Sequence, residues 1–165
     1  MLASEIYPEN SVPYATTLLN AASMYRAAGR LDLSRELYMK VERIYAVTLD
    51  ENDMLIIDSS HIIRPQGDVV TEYLEILPTL APGVLVHIHD IFTPRDYPES
   101  WVKKDVRLWN EQYLLEAFMS FNSGFEVVAA LNYLMHHYYE QFAAKCPVLR
   151  HQQGREPGAF WIRRL

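Results

Sequence analysis

Residues able to act as acids, bases or metal ligands gather in two short stretches of this chain. Asp58, Ser59, Ser60 and His61 follow one apolar run, Met54-Leu-Ile-Ile, while His87, His89 and Asp90 close another, Val84-Leu-Val-His-Ile. A carboxylate from each stretch can hold a hard divalent cation such as Mg²⁺, with waters completing the shell, so Asp58 and Asp90 are the candidate metal ligands. The cation would lower the pKa of a hydroxyl group, and His61, with an ordinary pKa near 6.5, is suited to take that proton and is the candidate catalytic base. Each feature has a plainer alternative: an acid at a strand end often caps the next turn, and a histidine there is often hydrogen-bonded structure. The alternation His87-x-His89 places two imidazoles on one face, as zinc would require, but no third ligand stands at a recognisable spacing.

These residues need elements that bring the two stretches to one place. Met54 to Asp58 and Val84 to His89 read as short buried strands, the second introduced by a Pro82-Gly83 turn. Between them Asp68 can cap a helix carrying Val69, Val70, Tyr73, Leu74, Ile76 and Leu77. A proline-bearing loop from Phe92 to about Val106 follows, able to form a wall or lid over the strand ends. Next come a helix with Trp109, Tyr113, Leu114, Ala117 and Phe118, a strand from Phe125 to Leu131, a helix from Tyr133 to Ala144 and a last strand from Ala159 to Arg163. Strand and helix alternate, which predicts an α/β fold with a three-layer sheet and ligands bound at the carboxyl ends of its strands. Asn110 and Glu111 are expected near that crevice. Trp109 and Tyr113 are expected in the core, His136, His137, Tyr138 and Tyr139 on packing and surface positions, and Arg163 and Arg164 in solvent.

Residues 1–50 have a different character. Leu18, Ala21, Ala22, Tyr25 and Ala28 recur at helical spacing and Gly29 supplies a stop. A second helix presents Leu33, Leu37, Tyr38, Val41, Ile44 and Tyr45 on one face, so the pair should form an antiparallel hairpin. Ala15 to Tyr45 resembles one tetratricopeptide repeat, within about residues 14–47, with Leu18, Ala21, Ala22 and Tyr25 at first-helix packing positions and Ser34 and Tyr38 at second-helix contacts. Leu31, Ser34 and Val41 depart mildly from that pattern, and the closing proline is missing. No second copy follows, whereas a stable stack needs about three, so the hairpin must dock elsewhere.

Residues 51–165 carry a second resemblance. Asn52 to Val102, with IDSSH, LPTLAPGVLVHIHDIF and YPESW, then Trp109 to Val127 and the terminal FWIRR, is similar to the carboxyl-terminal half of class I S-adenosylmethionine-dependent methyltransferases. The resemblance covers about two thirds of the chain. It implies a partial Rossmann-like sheet of about four strands, metal-assisted O-methyl transfer to a small-molecule acceptor, metal ligands at Asp58 and Asp90 and a general base at His61. The first strand and glycine-bearing donor loop of that family, and its second, acid-ended strand, have no counterpart. The hairpin stands in their place, so the chain reads as a truncated or fused form with Met54 to Asp58 at a sheet edge and weak or no activity alone. An exposed apolar edge invites pairing, which the hairpin is expected to relieve by covering either it or the helix layer. The alternative is a non-catalytic scaffold that binds a protein partner or a second copy through the hairpin or the sheet edge.

Composition narrows the classes. The chain has 165 residues, 50% hydrophobic and 22% charged, enough for one ordinary core. Its formal net charge of −6 disfavours binding to nucleic acid. The six glycines form no G-x-G-x-x-G or Walker loop, and one cysteine, Cys146, makes no intrachain disulfide. No apolar run approaches the roughly 20 residues of a membrane span, and a cytoplasmic setting is expected.

Overall fold

The computed structural model describes residues 6–152 and 154–165. Two helices open it, α1 (Val12–Ala27) and α2 (Leu31–Thr48). Ser11 caps α1 through its hydroxyl, which accepts the Tyr14 N–H, and Pro13 occupies the first turn, where its missing N–H costs nothing. Gly29, at φ 74°, makes the left-handed turn into α2. The helices run antiparallel: Ser34 donates to the Ala22 carbonyl at 2.8 Å, while at the other end Lys40 Nζ meets the Tyr14 hydroxyl at 3.0 Å.

The rest of the chain is α/β. Strand β1 (Met54–Ile57) leads through a ten-residue stretch, 58–67, which ends in the cap Gly67, to α3 (Asp68–Thr71), which continues as a π-helical turn (Glu72–Ile76) and a 3₁₀ turn (Leu77–Thr79). Then follow β2 (Leu85–His89), α4 (Glu99–Lys103), α5 (Glu111–Met119), β3 (Phe125–Ala130), α6 (Leu131–His137), α7 (Tyr139–Lys145), a 3₁₀ turn (Pro147–His151) and β4 (Ala159–Arg164). Gly83, at φ 91°, turns the chain into β2 where a Cβ would come within 2.7 Å of the Glu51 Cα.

The four strands form one mixed sheet in the order β1-β2-β4-β3. β1 and β2 are parallel, whereas β4 lies between β2 and β3 and runs antiparallel to both. β1 sits at an edge, as the resemblance implies. The register lines up Leu55, Val86 and Ile162, and then Ile57, Ile88 and Phe160, on one face, and all six are buried. The opposite rows, Ile56-His87-Trp161 and Met54-Leu85-Arg163, are not covered to the same extent: Met54 is 47% and Ile56 58% exposed. The expected three-layer burial is therefore not reached on that face.

The covered face packs under α3, its π turn and α5, with Tyr73, Phe118 and Phe125 in edge-on aromatic contacts. α2 packs on the π and 3₁₀ turns. One apolar cluster consequently runs from Tyr14, Leu18 and Ile44 of the hairpin through Tyr73 and Leu77 to Val86, Ile88 and Ile162 of the sheet. The hairpin has docked on the helix layer.

Several expected elements differ in detail. Asp68 does not cap its helix: Gly67 is the cap residue, and the Asp68 carboxylate turns back to Ser60. The helix expected from Tyr133 to Ala144 breaks at Tyr138, which leaves helical geometry at φ −137°. The loop after β2 contains a short helix, α4. Arg164 is held by the Gly124 carbonyl at 2.7 Å and lies over the Phe125 ring, so only Arg163, paired with Glu126, is the exposed arginine expected. Among the described residues no helix is long and apolar enough to cross a membrane.

Candidate functional site

The parallel register of β1 and β2 brings their carboxyl ends side by side, and with them the two stretches singled out above. His61 lies between them. Its Nε2 is 3.5 Å from Asp58 Oδ1 and 3.8 Å from Asp90 Oδ2, so Asp58, His61 and Asp90 meet in space. Asp58 makes no hydrogen bond to a neighbouring turn among the described residues, so the capping alternative is not what its side chain does. Both His61 and Asp90 hold left-handed backbone, at φ 56° and 55°.

The other imidazole nitrogen defines the chemistry. His61 Nδ1 is 2.7 Å from Glu111 Oε2, while Glu111 Oε1 accepts the Tyr73 hydroxyl at 3.0 Å. Glu111 is fully buried and His61 only 5% exposed. A carboxylate in this position takes the Nδ1 proton as a hydrogen bond and leaves Nε2 with the lone pair, directed toward Asp58 and Asp90. Burial opposes charge on His61, but the Glu111 bond and the carboxylates of Glu111, Asp90 and Asp58 outweigh it and raise its pKa above the ordinary imidazole value. The ring is walled by Trp109, whose centroid is 4.3 Å away. Trp101 and Tyr97, from the loop after β2, pack edge-on against Trp109, and the Arg107 guanidinium covers both tryptophans. That loop forms a wall beside the site.

The first turn of α5 supplies the framework. The His61 carbonyl accepts the Asn110 N–H at 2.9 Å and the Glu111 N–H at 3.3 Å, and the Asn110 side chain accepts from the Ile63 N–H. Asn110 and Glu111 lie at the crevice as expected, and the contact of Glu111 with His61 is new, whereas Trp109, expected in the core, is half-buried against the imidazole. Tyr113 is likewise no core residue: it is half-exposed, with its hydroxyl on Asp96. Two residues that sequence reasoning missed, Glu72 and Tyr73, come from the π turn. Glu72 is buried and held at a pKa of about 8 by burial first and then by the Glu111 and Asp68 carboxylates.

Beside Asp90 opens a cleft of about 600 Å³, lined in part by His87, His89, Trp101 and Arg155. His87 Nε2 and His89 Nδ1 are 3.3 Å apart, on one face as their alternation predicts. Among the described residues no group of three or more His, Cys, Asp or Glu is arranged to hold a metal ion, so zinc gains no third ligand. A magnesium ion has smaller demands, because one or two carboxylates plus water suffice, and Asp58 and Asp90 are carboxylates with no Lys or Arg partner among the described residues. His136 binds Glu156 at 2.7 Å and His137 stacks with Tyr133, so the histidines of α6 do not converge, as expected. Comparison of the chain with protein-family models, with curated proteins and with solved structures gives no match.

Proposed function

We propose that the crevice between the β1 and β2 tips deprotonates a hydroxyl group of a small-molecule acceptor, as the acceptor-activating part of S-adenosylmethionine-dependent O-methyl transfer. The observation that carries this reading is the Glu111-His61 pair, with Nδ1 tied to a buried carboxylate and Nε2 facing two further carboxylates. His61 Nε2 takes the proton, Glu111 fixes the tautomer and the ring orientation, and Trp109 keeps water from one side of the ring. Asp58 and Asp90 would hold Mg²⁺, whose chemistry is to lower the pKa of a bound hydroxyl. The methyl donor fits less well. Residues 12–48 are two helices and a turn, Gly29 serves that turn, and the one glycine between β1 and α3, Gly67, is the cap of α3. The chain alone is therefore expected to turn over weakly or not at all.

Thermal unfolding with and without Mg²⁺ tests the acceptor side. Mg²⁺ is expected to raise the Tm of the wild type and to lose that effect in Asp58→Asn and Asp90→Asn. No stabilisation of the wild type, or stabilisation that survives both changes, would remove the metal assignment. Calorimetric titration with S-adenosylmethionine tests the donor side: saturable one-to-one binding would place a donor site in this chain. The alternative, a scaffold that binds a protein through the hairpin, draws on Met24, Tyr25, Leu31 and Val47, which the hairpin leaves exposed.

A further inference from the structure

We propose that Arg26, on the helical hairpin, is a positioning residue for His61, acting through Asp68 and Ser60. The role rests on His61 being the base; the chain of contacts does not. His61 sits in an irregular segment between β1 and α3, and its left-handed φ is unfavourable for a residue with a Cβ, so the surroundings must hold it. One hold is the start of α5, whose Asn110 and Glu111 N–H groups donate to the His61 carbonyl. The other acts on the preceding residue: the Ser60 N–H donates to Asp68 Oδ2 at 3.0 Å and its hydroxyl to Asp68 Oδ1 at 2.7 Å.

Asp68 is only 5% exposed, and a carboxylate at that depth needs a counter-charge. Arg26 provides it, with Nη1 2.5 Å from Asp68 Oδ1 and its own side chain 14% exposed. Desolvation alone would raise the Asp68 pKa, but Arg26 and Ser60 hold it below the ordinary value. Without Arg26 the carboxylate must either take up a proton, which turns one acceptor oxygen into a donor, or move toward water. Either change releases Ser60 and loosens the backbone that sets the His61 ring.

The contact is also separate from the docking of the hairpin. α2 packs on the π and 3₁₀ turns through Ile44, Tyr45 and Leu49 in the common apolar cluster. Among the described residues, Arg26 to Asp68 is the one side-chain ion pair that joins the hairpin to the α/β part. Along α1, Arg26 continues the buried stripe of Ala15, Leu18 and Ala22, ending an apolar face in a charge. The hairpin would therefore stay docked when Arg26 is replaced, while the site loop would not stay set.

The test compares full-length wild type with Arg26→Met, Arg26→Lys and Ser60→Ala by amide hydrogen exchange and by ¹⁵N spectra of the His61 ring. In Arg26→Met the Asn110 and Glu111 amides should exchange on the order of tenfold faster, the change a charge-assisted bond is worth, relative to β2 and β4 ladder amides. The His61 ring should pass from a single Nδ1–H tautomer to a mixture. Arg26→Lys should retain most of the wild-type behaviour, and Ser60→Ala, which leaves no buried charge unpaired, should move both readouts the same way by less. If the Asn110 and Glu111 amides accelerate only in step with the ladder, or the tautomer stays single in Arg26→Met and Ser60→Ala, Arg26 is a stability residue and the proposal fails. Should Arg26→Met not fold, Ser60→Ala and Arg26→Lys decide alone. None of these readouts needs a metal or methyl donor, so a failed Mg²⁺ titration leaves them standing.

Discussion

The two faces of the sheet are built from the same four strands and alternate residue by residue, yet they have separate fates. On the helix side Leu55, Val86, Ile88 and Ile162 are sealed by Tyr73, Leu77 and Leu115. On the other side Ile56 and Met54 stay in contact with solvent, beside His87 and the half-buried Trp161. Met54, Ile56 and Leu85 are as apolar as the covered residues, but they share their face with His87 and Arg163, and the rest of the chain lays less over them. Hydrophobicity along a strand reports that a face can be buried, and only the packing of helices decides which face is.

That contrast has measurable consequences, largest on the covered side. Ile88→Ala, at a fully buried position, should cost about 2–5 kcal/mol in denaturant unfolding. The same truncation at Ile56, one row away, should cost under about 0.5 kcal/mol. Equal costs would mean that the two faces are packed alike. Within the helix layer, Glu72→Gln should stabilise the protein above pH 8. The folded state holds the Glu72 proton up to about pH 8 against an ordinary value of 4.5, so this carboxyl costs nothing below about pH 4.5, and its penalty grows between 4.5 and 8 and is full above 8. The gap between wild type and Glu72→Gln should widen over that range to the order of a few kcal/mol, read from unfolding curves at a series of pH values. A pH-independent gap would mean that Glu72 reaches water.

Glu111→Gln sharpens the comparison inside the site. It removes the acceptor that fixes His61 Nδ1 and should cost roughly 1–3 kcal/mol of stability while lowering the His61 pKa toward 6.5. Since the partnered His61 is raised, its stabilisation is full below pH 6.5 and fades as pH climbs through the raised value, so the cost of Glu111→Gln should shrink in alkaline buffer. NMR titration of the imidazole reads the pKa, and an unshifted His61 would rule out the Glu111 contact.

Much of this arrangement is visible in the amino-acid order. The strand-ending acids and the His61 that follows the first are local signals, and a parallel strand pair suffices to bring them together, whereas Glu111 arrives from α5, 50 residues along the chain. The helical hairpin is equally legible from the spacing of Leu18, Ala22, Tyr38 and Val41. What sequence periodicity misses follows from two departures. The π turn changes the helical repeat between Glu72 and Ile76, so a 3.6-residue wheel cannot place Glu72 and Tyr73 in the network behind the site. The antiparallel insertion of β4 is a choice of pairing partner, and a run such as Ala159–Arg164 reads the same whichever neighbour it takes. Trp109 reads as core because it is a large aromatic residue beside an amphipathic helix, and nothing local reveals the imidazole it packs against.

The left-handed backbone at His61 and Asp90 sets two aims against each other. A redesign of this chain for thermal stability alone would favour glycine at both positions, where a missing Cβ relieves the conformation. It would keep the sheet, the hairpin and the core, and in two substitutions erase the imidazole and one of its carboxylates. Libraries selected only for heat resistance are therefore expected to drain the candidate chemistry from this fold first at residues 61 and 90.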